Sequence, residues 1–292
     1  MLSDNIINDS CFSEEDRQNY NKYRDIIGDK LTDTVYQYMS RDISMPEALD
    51  IIHNFNFQNV HNYTVDLLFV LECTAILKKR YEEAGINNEI FRFMIKDIKY
   101  KLDECLHVKN VFGIFVATWY IVFLEFRRIA LGRLQYDITV YSEETVTVDD
   151  FTLNKGDFVL RCHIPSGGPL KPELCRESFQ IAYEFFTDRL KDGILPIVCR
   201  SWLLYPDYTD VFGENSNTVD FAKNFKIISV HETEGFDEAW RVFGVDYEGD
   251  VSKLPTDTTL QRNFIEYIKE GKAFGGGTGV LLFDGKEVLT RR

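Results

Sequence analysis

HIPSGGPLKPELCRESFQIAYEFF, residues 163–186, runs from the end of an apolar strand through a turn bounded by prolines into an amphipathic helix. The helix is expected from about Pro172 to Leu190, with Leu174, Cys175, Phe179, Ala182, Phe185, Phe186 and Leu190 on one face. Proline at its start suits a first helical turn. Before the turn, Phe158 to Ile164 reads as a strand. After the helix, Ile194 to Leu204 (ILPIVCRSWLL) is too apolar for a solvent-facing strand and belongs inside a sheet.

Upstream, Leu134, Tyr136, Ile138 and Val140 alternate with polar residues, the period of a half-buried strand. Thr145 to Val148 and Phe151 to Leu153 follow, then a turn at Asn154-Lys155-Gly156-Asp157, which together predict an antiparallel meander. Downstream, Phe225 to Val230 and Trp240 to Phe243 read as strands and Leu260 to Lys269 as a helix. Leu281 to Leu289 reads as a final hairpin around Asp284-Gly285.

The residues before 130 carry helical periodicity instead. Tyr20 to Tyr38 is interrupted by Gly28, Pro46 opens a short helix, and Val65 to Lys79 is apolar on most sides. Phe91, Met94, Ile95, Ile98, Leu102 and Leu106 form a stripe, and Val111 to Ile129 is predicted to be the last long helix. The fold class is therefore α+β: an all-helical N-terminal domain over 1–129, then a mixed, mainly antiparallel sheet with flanking helices over 130–292.

The chain carries a net charge of −14, and the two parts share it unequally. Residues 1–133 hold 20 acids and 16 bases, whereas 134–292 hold 27 acids and 17 bases. Such a field repels nucleic acid and anionic lipid, and suits a cationic or amine-bearing small molecule. The N-terminal residues MLSDNIINDSCFSEED do not read as a signal peptide. The longest apolar run, Val111 to Leu124, falls short of the ~20 residues a bilayer requires. Six scattered cysteines without a CxxC pair offer neither a disulfide framework nor a zinc site. A reduced, cytoplasmic setting with no membrane partner is expected; the oligomeric state is not legible.

No GxSxG, HExxH or P-loop motif is present. Gly275 to Gly279 (GGGTG) lies between a helix and a strand, the wrong order for a phosphate loop, and reads as a flexible connector. His53, His61, His107 and His231 lack ligand spacing and read as structural or surface residues. His163 with Cys199 or Ser201 would supply the base and nucleophile of a hydrolase.

Several unusual blocks follow one another in order: ALGRLQYD (130–137), the opening segment, CRSWLLYP (199–206), NSNTVDFAKNFKI (215–227) and LPTDTTLQRNFIEYIKEGKAFGGGTGVLLF (254–283). As a set they resemble bacterial proteins that join a helical N-acyltransferase N-terminal domain to a GNAT-like C-terminal domain. The resemblance implies a sheet splayed near its centre and a transferase that moves an acyl group from acyl-CoA or acetyl-CoA, its co-substrate, to an amine or hydroxyl acceptor without a metal. It also places CoA at the turn before the main helix. There Ser166 would donate a hydroxyl, and Gly167 and Gly168 would permit close backbone approach. Trp202 would wall the pocket. His163, Ser201 and Tyr205 are the candidates for proton transfer. The turn departs from the usual signature of Arg or Gln followed by spaced glycines: residues 161–168 read Arg-Cys-His-Ile-Pro-Ser-Gly-Gly. A catalytically degenerate ligand- or protein-binding module on the same fold is the alternative.

Overall fold

The computed structural model describes residues 2–291. The chain divides into two compact units. One extends to Ala130 and takes in Pro165–Gly167; the other comprises Leu131–Ile164 and the chain from Gly168 onward.

The first unit is helical. Helix α1 (Glu14–Ile27) opens with a capping box between Ser13 and Asp16 and stops at Gly28, whose φ of 57° no other residue adopts easily. The interruption expected at Gly28 divides Tyr20–Tyr38 between two helices, and α2 (Thr32–Met39) follows a 3-10 turn. Helix α3 (Met45–His53) has the Ser44/Glu47 capping box and Pro46 in its first turn. Helix α4 (Asn62–Glu83) is central: Thr64 through Thr74 are all buried, so its hydrophobicity has no single side. Its buried Asp66 and Glu72 are satisfied, Asp66 by His53 Nε2 at 2.6 Å and Glu72 by the Ser3 hydroxyl and backbone amide. Helix α5 (Asn88–Lys109) buries Phe91, Met94, Ile95, Ile98 and Leu102, the expected stripe, and ends on Asn110 in the left-handed region. Leu106 alone of that stripe is exposed.

Val111 to Ile129 is not a long helix. Gly113 presses on the backbone of Tyr63, the Ile114 amide donates to the Tyr63 carbonyl at 2.9 Å, and Thr64 Oγ1 donates to the Phe112 carbonyl at 2.6 Å. These bonds at the start of α4 hold the segment extended. Only a 3-10 turn (Ala117–Tyr120) and a single helical turn (Ile121–Leu124) form before Phe126 takes a φ of 62°. Strand β1 (Arg128–Leu131) then runs through the unit boundary.

In the second unit the strand order is β2-β5-β6-β8-β7, with β2 (Leu134–Val140), β5 (Phe158–His163), β6 (Leu195–Ser201), β7 (Lys226–Thr233) and β8 (Phe274–Phe283). All neighbours are antiparallel except β5 and β6, which run parallel, and β6 is interior as expected. β3 (Val146–Val148) and β4 (Phe151–Leu153) pair only with each other, so β2 meets β5 directly and the meander is a hairpin set on a sheet.

Helix α6 (Pro172–Phe185) covers one sheet face, where Tyr136 meets Ser178 at 3.0 Å and Phe179 meets Phe283. It ends five residues before Leu190, and a 3-10 turn over Thr187–Arg189 completes the connection. On the other face the β3–β4 hairpin packs Val148, Phe151 and Leu153 over Val159, Val198, Val280 and Leu282.

Three other sequence expectations are corrected. Trp240 to Phe243 lies in a short helix, Ala239–Phe243, because Phe236, Ala239, Val242 and Phe243 bury one helical face and Gly244 caps it at a φ of 72°. Gly275 to Gly279 is the interior of β8, not a connector. The final hairpin is reduced to one bridge, Phe283 with Val288. Helix α7 (Thr259–Lys269) forms as expected, with a Thr258/Gln261 capping box.

Candidate functional site

The parallel pair β5–β6 is registered at only three positions, Leu160 with Ile197, Arg161 with Val198 and Cys162 with Cys199. Both strands continue. β5 reaches His163 on the side of β2, paired with Gln135, and β6 reaches Ser201 on the side of β8, paired with Gly277. No pair is registered beyond Cys162 and Cys199, as none is before Leu160 and Ile197, and the carboxyl ends are where open α/β sheets place their ligands. An unpaired strand edge presents backbone donors and acceptors that an extended ligand can pair with as a strand does.

His163 stands at this end of β5. Its Nε2 is 2.8 Å from Asp137 Oδ2 on the neighbouring strand β2, so the carboxylate orients the imidazole. Ser201 ends β6, and its hydroxyl accepts from the Leu203 amide at 3.2 Å, capping the 3-10 turn Trp202–Leu204. Tyr205 follows, buried, its ring 4.9 Å from that of Tyr208. Burial raises the Tyr205 phenol above its ordinary range, and the Asp207 and Glu232 carboxylates push in the same direction. Trp202 packs against Tyr208, Phe212, Phe236 and Phe264, so much of its ring belongs to the aromatic core beneath α7.

The thiol–imidazole pair does not form. Cys199 is opposite Cys162, and His163, the next residue along β5, projects to the other face of the sheet. Cys199 is also fully buried. Ser201, two residues beyond Cys199 on the same strand, shares that thiol's side of the sheet, away from the imidazole. Burial, and then the neighbouring Cys199 thiol, hold Cys162 well above the ordinary thiol range, so Cys162 is not a ready nucleophile.

The turn residues have structural duties. Ser166 Oγ donates to the Glu104 carboxylate on α5, which also accepts from Lys101 Nζ at 2.8 Å. Gly167 lies against the Tyr100 ring, where a Cβ would fall 2.1 Å from a ring carbon. Gly168 has a φ of 91°, and its carbonyl accepts from Arg133 Nη2 at 2.6 Å. The N-terminus of α6 has no side-chain cap, but Pro172 lacks an amide hydrogen and the Leu174 and Cys175 amides donate to the Lys171 carbonyl at 3.0 and 3.1 Å.

Sequence reasoning missed the role of the glycine strand. A Cβ on Gly275 would lie 2.4 Å from the His231 carbonyl, and one on Gly277 would lie 2.4 Å from the Leu204 carbonyl. On the opposite face the His231 ring lies over Gly276, where a Cβ would be 2.8 Å from its Cε1 and 3.3 Å from the Ser201 carbonyl. The flat strand thus brings β7's imidazole toward the end of β6. The signal was present in four glycines leading directly into Val280-Leu281-Leu282-Phe283.

Among the described residues no group of three His, Cys, Asp or Glu side chains is arranged to hold a metal, and no helix is long and apolar enough to cross a membrane. No curated protein matches the chain by sequence. Among solved structures, the chain resembles an acyltransferase in complex with decanoyl-CoA and teicoplanin (TM-score 0.61, 22% identity). It resembles equally an acyltransferase with CoA and 10C-teicoplanin (TM-score 0.61, 22% identity). An acyltransferase with decanoyl-CoA is also similar (TM-score 0.58, 21% identity). Each likeness covers 75% of this chain and 66% of the other, so the chain spans just under two thirds of those structures' length. Residues 129–281, more than half of the chain, match the GNAT-like C-terminal domain, and the chain belongs to that family.

Proposed function

We propose that this chain transfers an acyl group from acyl-CoA to an amine or hydroxyl of a small-molecule acceptor, in a cytoplasmic setting. The observation that carries the reading is the end of the parallel β5–β6 register at Cys162 and Cys199, beside His163, inside a GNAT-like domain. The acyltransferases of similar fold hold CoA, octanoyl-CoA or decanoyl-CoA, which supports a thioester as the donor.

In this reading the thioester arm lies along these strand ends, with its carbonyl near His163. The acceptor nitrogen attacks the carbonyl carbon and the carbon–sulfur bond breaks. His163, oriented by Asp137, takes the proton lost by the nitrogen. The thiolate takes a proton from Tyr205 or Ser201 and leaves as CoA. The Tyr205 phenol is protonated at neutral pH, as any phenol is, while its burial makes it a weaker proton donor than an exposed one. Ser166, Gly167 and Gly168 would meet the CoA phosphates, and Trp202 would wall the acyl group.

A second reading, a binding module that no longer transfers, is favoured by one observation: Ser166 and Gly167 are already engaged by Glu104 and Tyr100. Thermal shift with CoA, acetyl-CoA and decanoyl-CoA, followed by a free-thiol assay with an amine panel, separates the two. A shift with turnover supports transfer, and His163→Gln should then lower kcat by about 100-fold while leaving CoA affinity intact. A shift without turnover supports the binding module. No shift at millimolar CoA defeats the transfer reading.

A further inference from the structure

The sheet face that carries His163 is divided in two. Strand register places Asp137, Arg161 and Val198 side by side on it, and alternation adds His163, Arg200, Thr278, Ser229 and His231 toward the carboxyl end of β6. The β3–β4 hairpin covers the other half through Val159, Val198 and Val280. The half it leaves bare holds Arg161, Arg200 and Ser229, all exposed.

Arg161 and Arg200 are unusual in this chain. Its acids outnumber its bases by 47 to 33, and Arg24, Arg92, Arg189, Arg241 and Arg291 each hold a carboxylate. The side chains of Arg161 and Arg200, like that of Arg41, make no hydrogen bond or ion pair among the described residues. The carboxylate nearest Arg161 in register, Asp137, is engaged by His163. Strand spacing and rise put the two arginine Cα atoms roughly 8 Å apart on a diagonal across the two strands. Two long guanidinium side chains at that separation can converge on one anion.

We propose that Arg161 and Arg200 bind the carboxylate of an acceptor that bears both an amine and a carboxylate. That this ligand is the acceptor rests on the acyl-transfer reading above; that the face binds a carboxylate does not. The pair flanks the strand ends where the thioester would lie, so a carboxylate held there sets the ligand's amine beside His163. The acidic field of the rest of the domain draws the ammonium end, while the two arginines select the carboxylate end. The Thr278 and Ser229 hydroxyls at the edge of the patch supply further donors.

Binding is measured calorimetrically, with and without saturating CoA, for matched pairs: L-phenylalanine and its amide, 6-aminohexanoate and its amide, 4-aminobenzoate and its amide. At least one acid should bind about tenfold tighter than its amide, and R161Q or R200Q should each erase most of that preference while R161K keeps part of it. Both positions are exposed, so thermal stability should stay unchanged in the variants. Equal binding of acids and amides, absence of binding included, overturns the proposal, as does an acid preference that survives the double variant. A preference lost in the variants together with no CoA binding leaves the carboxylate site standing and removes the acyl-transfer reading. CoA binding with no acid preference does the reverse.

Discussion

Gly277→Ala tests the claim that the glycines of β8 exist for close approach. The added Cβ would stand 2.4 Å from the Leu204 carbonyl oxygen and 2.9 Å from its carbon, against an ordinary contact that begins at 3.4 Å. The shortfall is 3.4 − 2.4 = 1.0 Å, and the obstacle is backbone, so no rotamer change relieves it. Either the 3-10 turn Trp202–Leu204 or β8 itself must retreat. Overpacking of this kind costs about 1–3 kcal/mol. For a unit of this size that lowers the Tm by roughly 2–4 °C per kcal/mol. Gly276→Ala is the internal control. Its nearest obstacle is the His231 ring, a side chain that can turn away, and the loss of unfolded-state freedom returns ~0.4–1 kcal/mol. Differential scanning fluorimetry should therefore rank wild type and Gly276→Ala close together, with Gly277→Ala several degrees lower. Because Ser201 pairs with Gly277, the same retreat should also weaken decanoyl-CoA binding. Equal melting temperatures for the two variants would refute the close-approach argument.

Two further outcomes are expected. Gly167→Ala should destabilise the protein, and Gly167→Ala combined with Tyr100→Ala should recover part of that loss, because the clash is with the Tyr100 ring; a strictly additive double variant in urea denaturation counts against this packing. Stability should also fall on the alkaline side. Burial pushes Cys175 up to about 11 from an ordinary 9.0, so between those values the unfolded thiol gives up its proton while the folded one keeps it. The folded state then binds more protons, and stability present below pH ~9 is lost as pH rises toward 11, by at most ~2–3 kcal/mol for this group. Cys175→Ala should flatten the urea midpoint against pH across that window.

The elements legible from sequence are those whose burial is decided locally. Helix α5 buries five of the six apolar positions its stripe names, and β6 is interior because an unbroken apolar run has no solvent face to offer. The misread elements are those decided by a distant backbone. Val111 to Ile129 has the hydrophobicity of a core helix, yet its path is fixed by hydrogen bonds to Tyr63 and Thr64, some fifty residues earlier. Trp240 to Phe243 is different. Its helical spacing from Phe236 through Gly244 was present in the sequence, and β-rich residue types obscured it.

The glycines pose the hardest problem, because a missing side chain records what must come near without saying from where. At Gly275 and Gly277 the approaching groups are the carbonyls of His231 and Leu204. At Gly167 it is the ring of Tyr100. Gly168 is glycine for its φ of 91°. The departure of the 161–168 turn from the usual spaced-glycine signature follows from these demands. Pro165, Pro169 and Pro172 remove three amides from eight positions, and the two glycines between them are fixed by the Tyr100 ring and by backbone conformation. A ligand phosphate at this turn would be left with the amides of Ser166 to Gly168, because Pro172 has none and those of Leu174 and Cys175 are taken by the Lys171 carbonyl. The carboxyl ends of β5 and β6, where the register stops at Cys162 and Cys199 beside His163, rather than the turn, carry the functional reading.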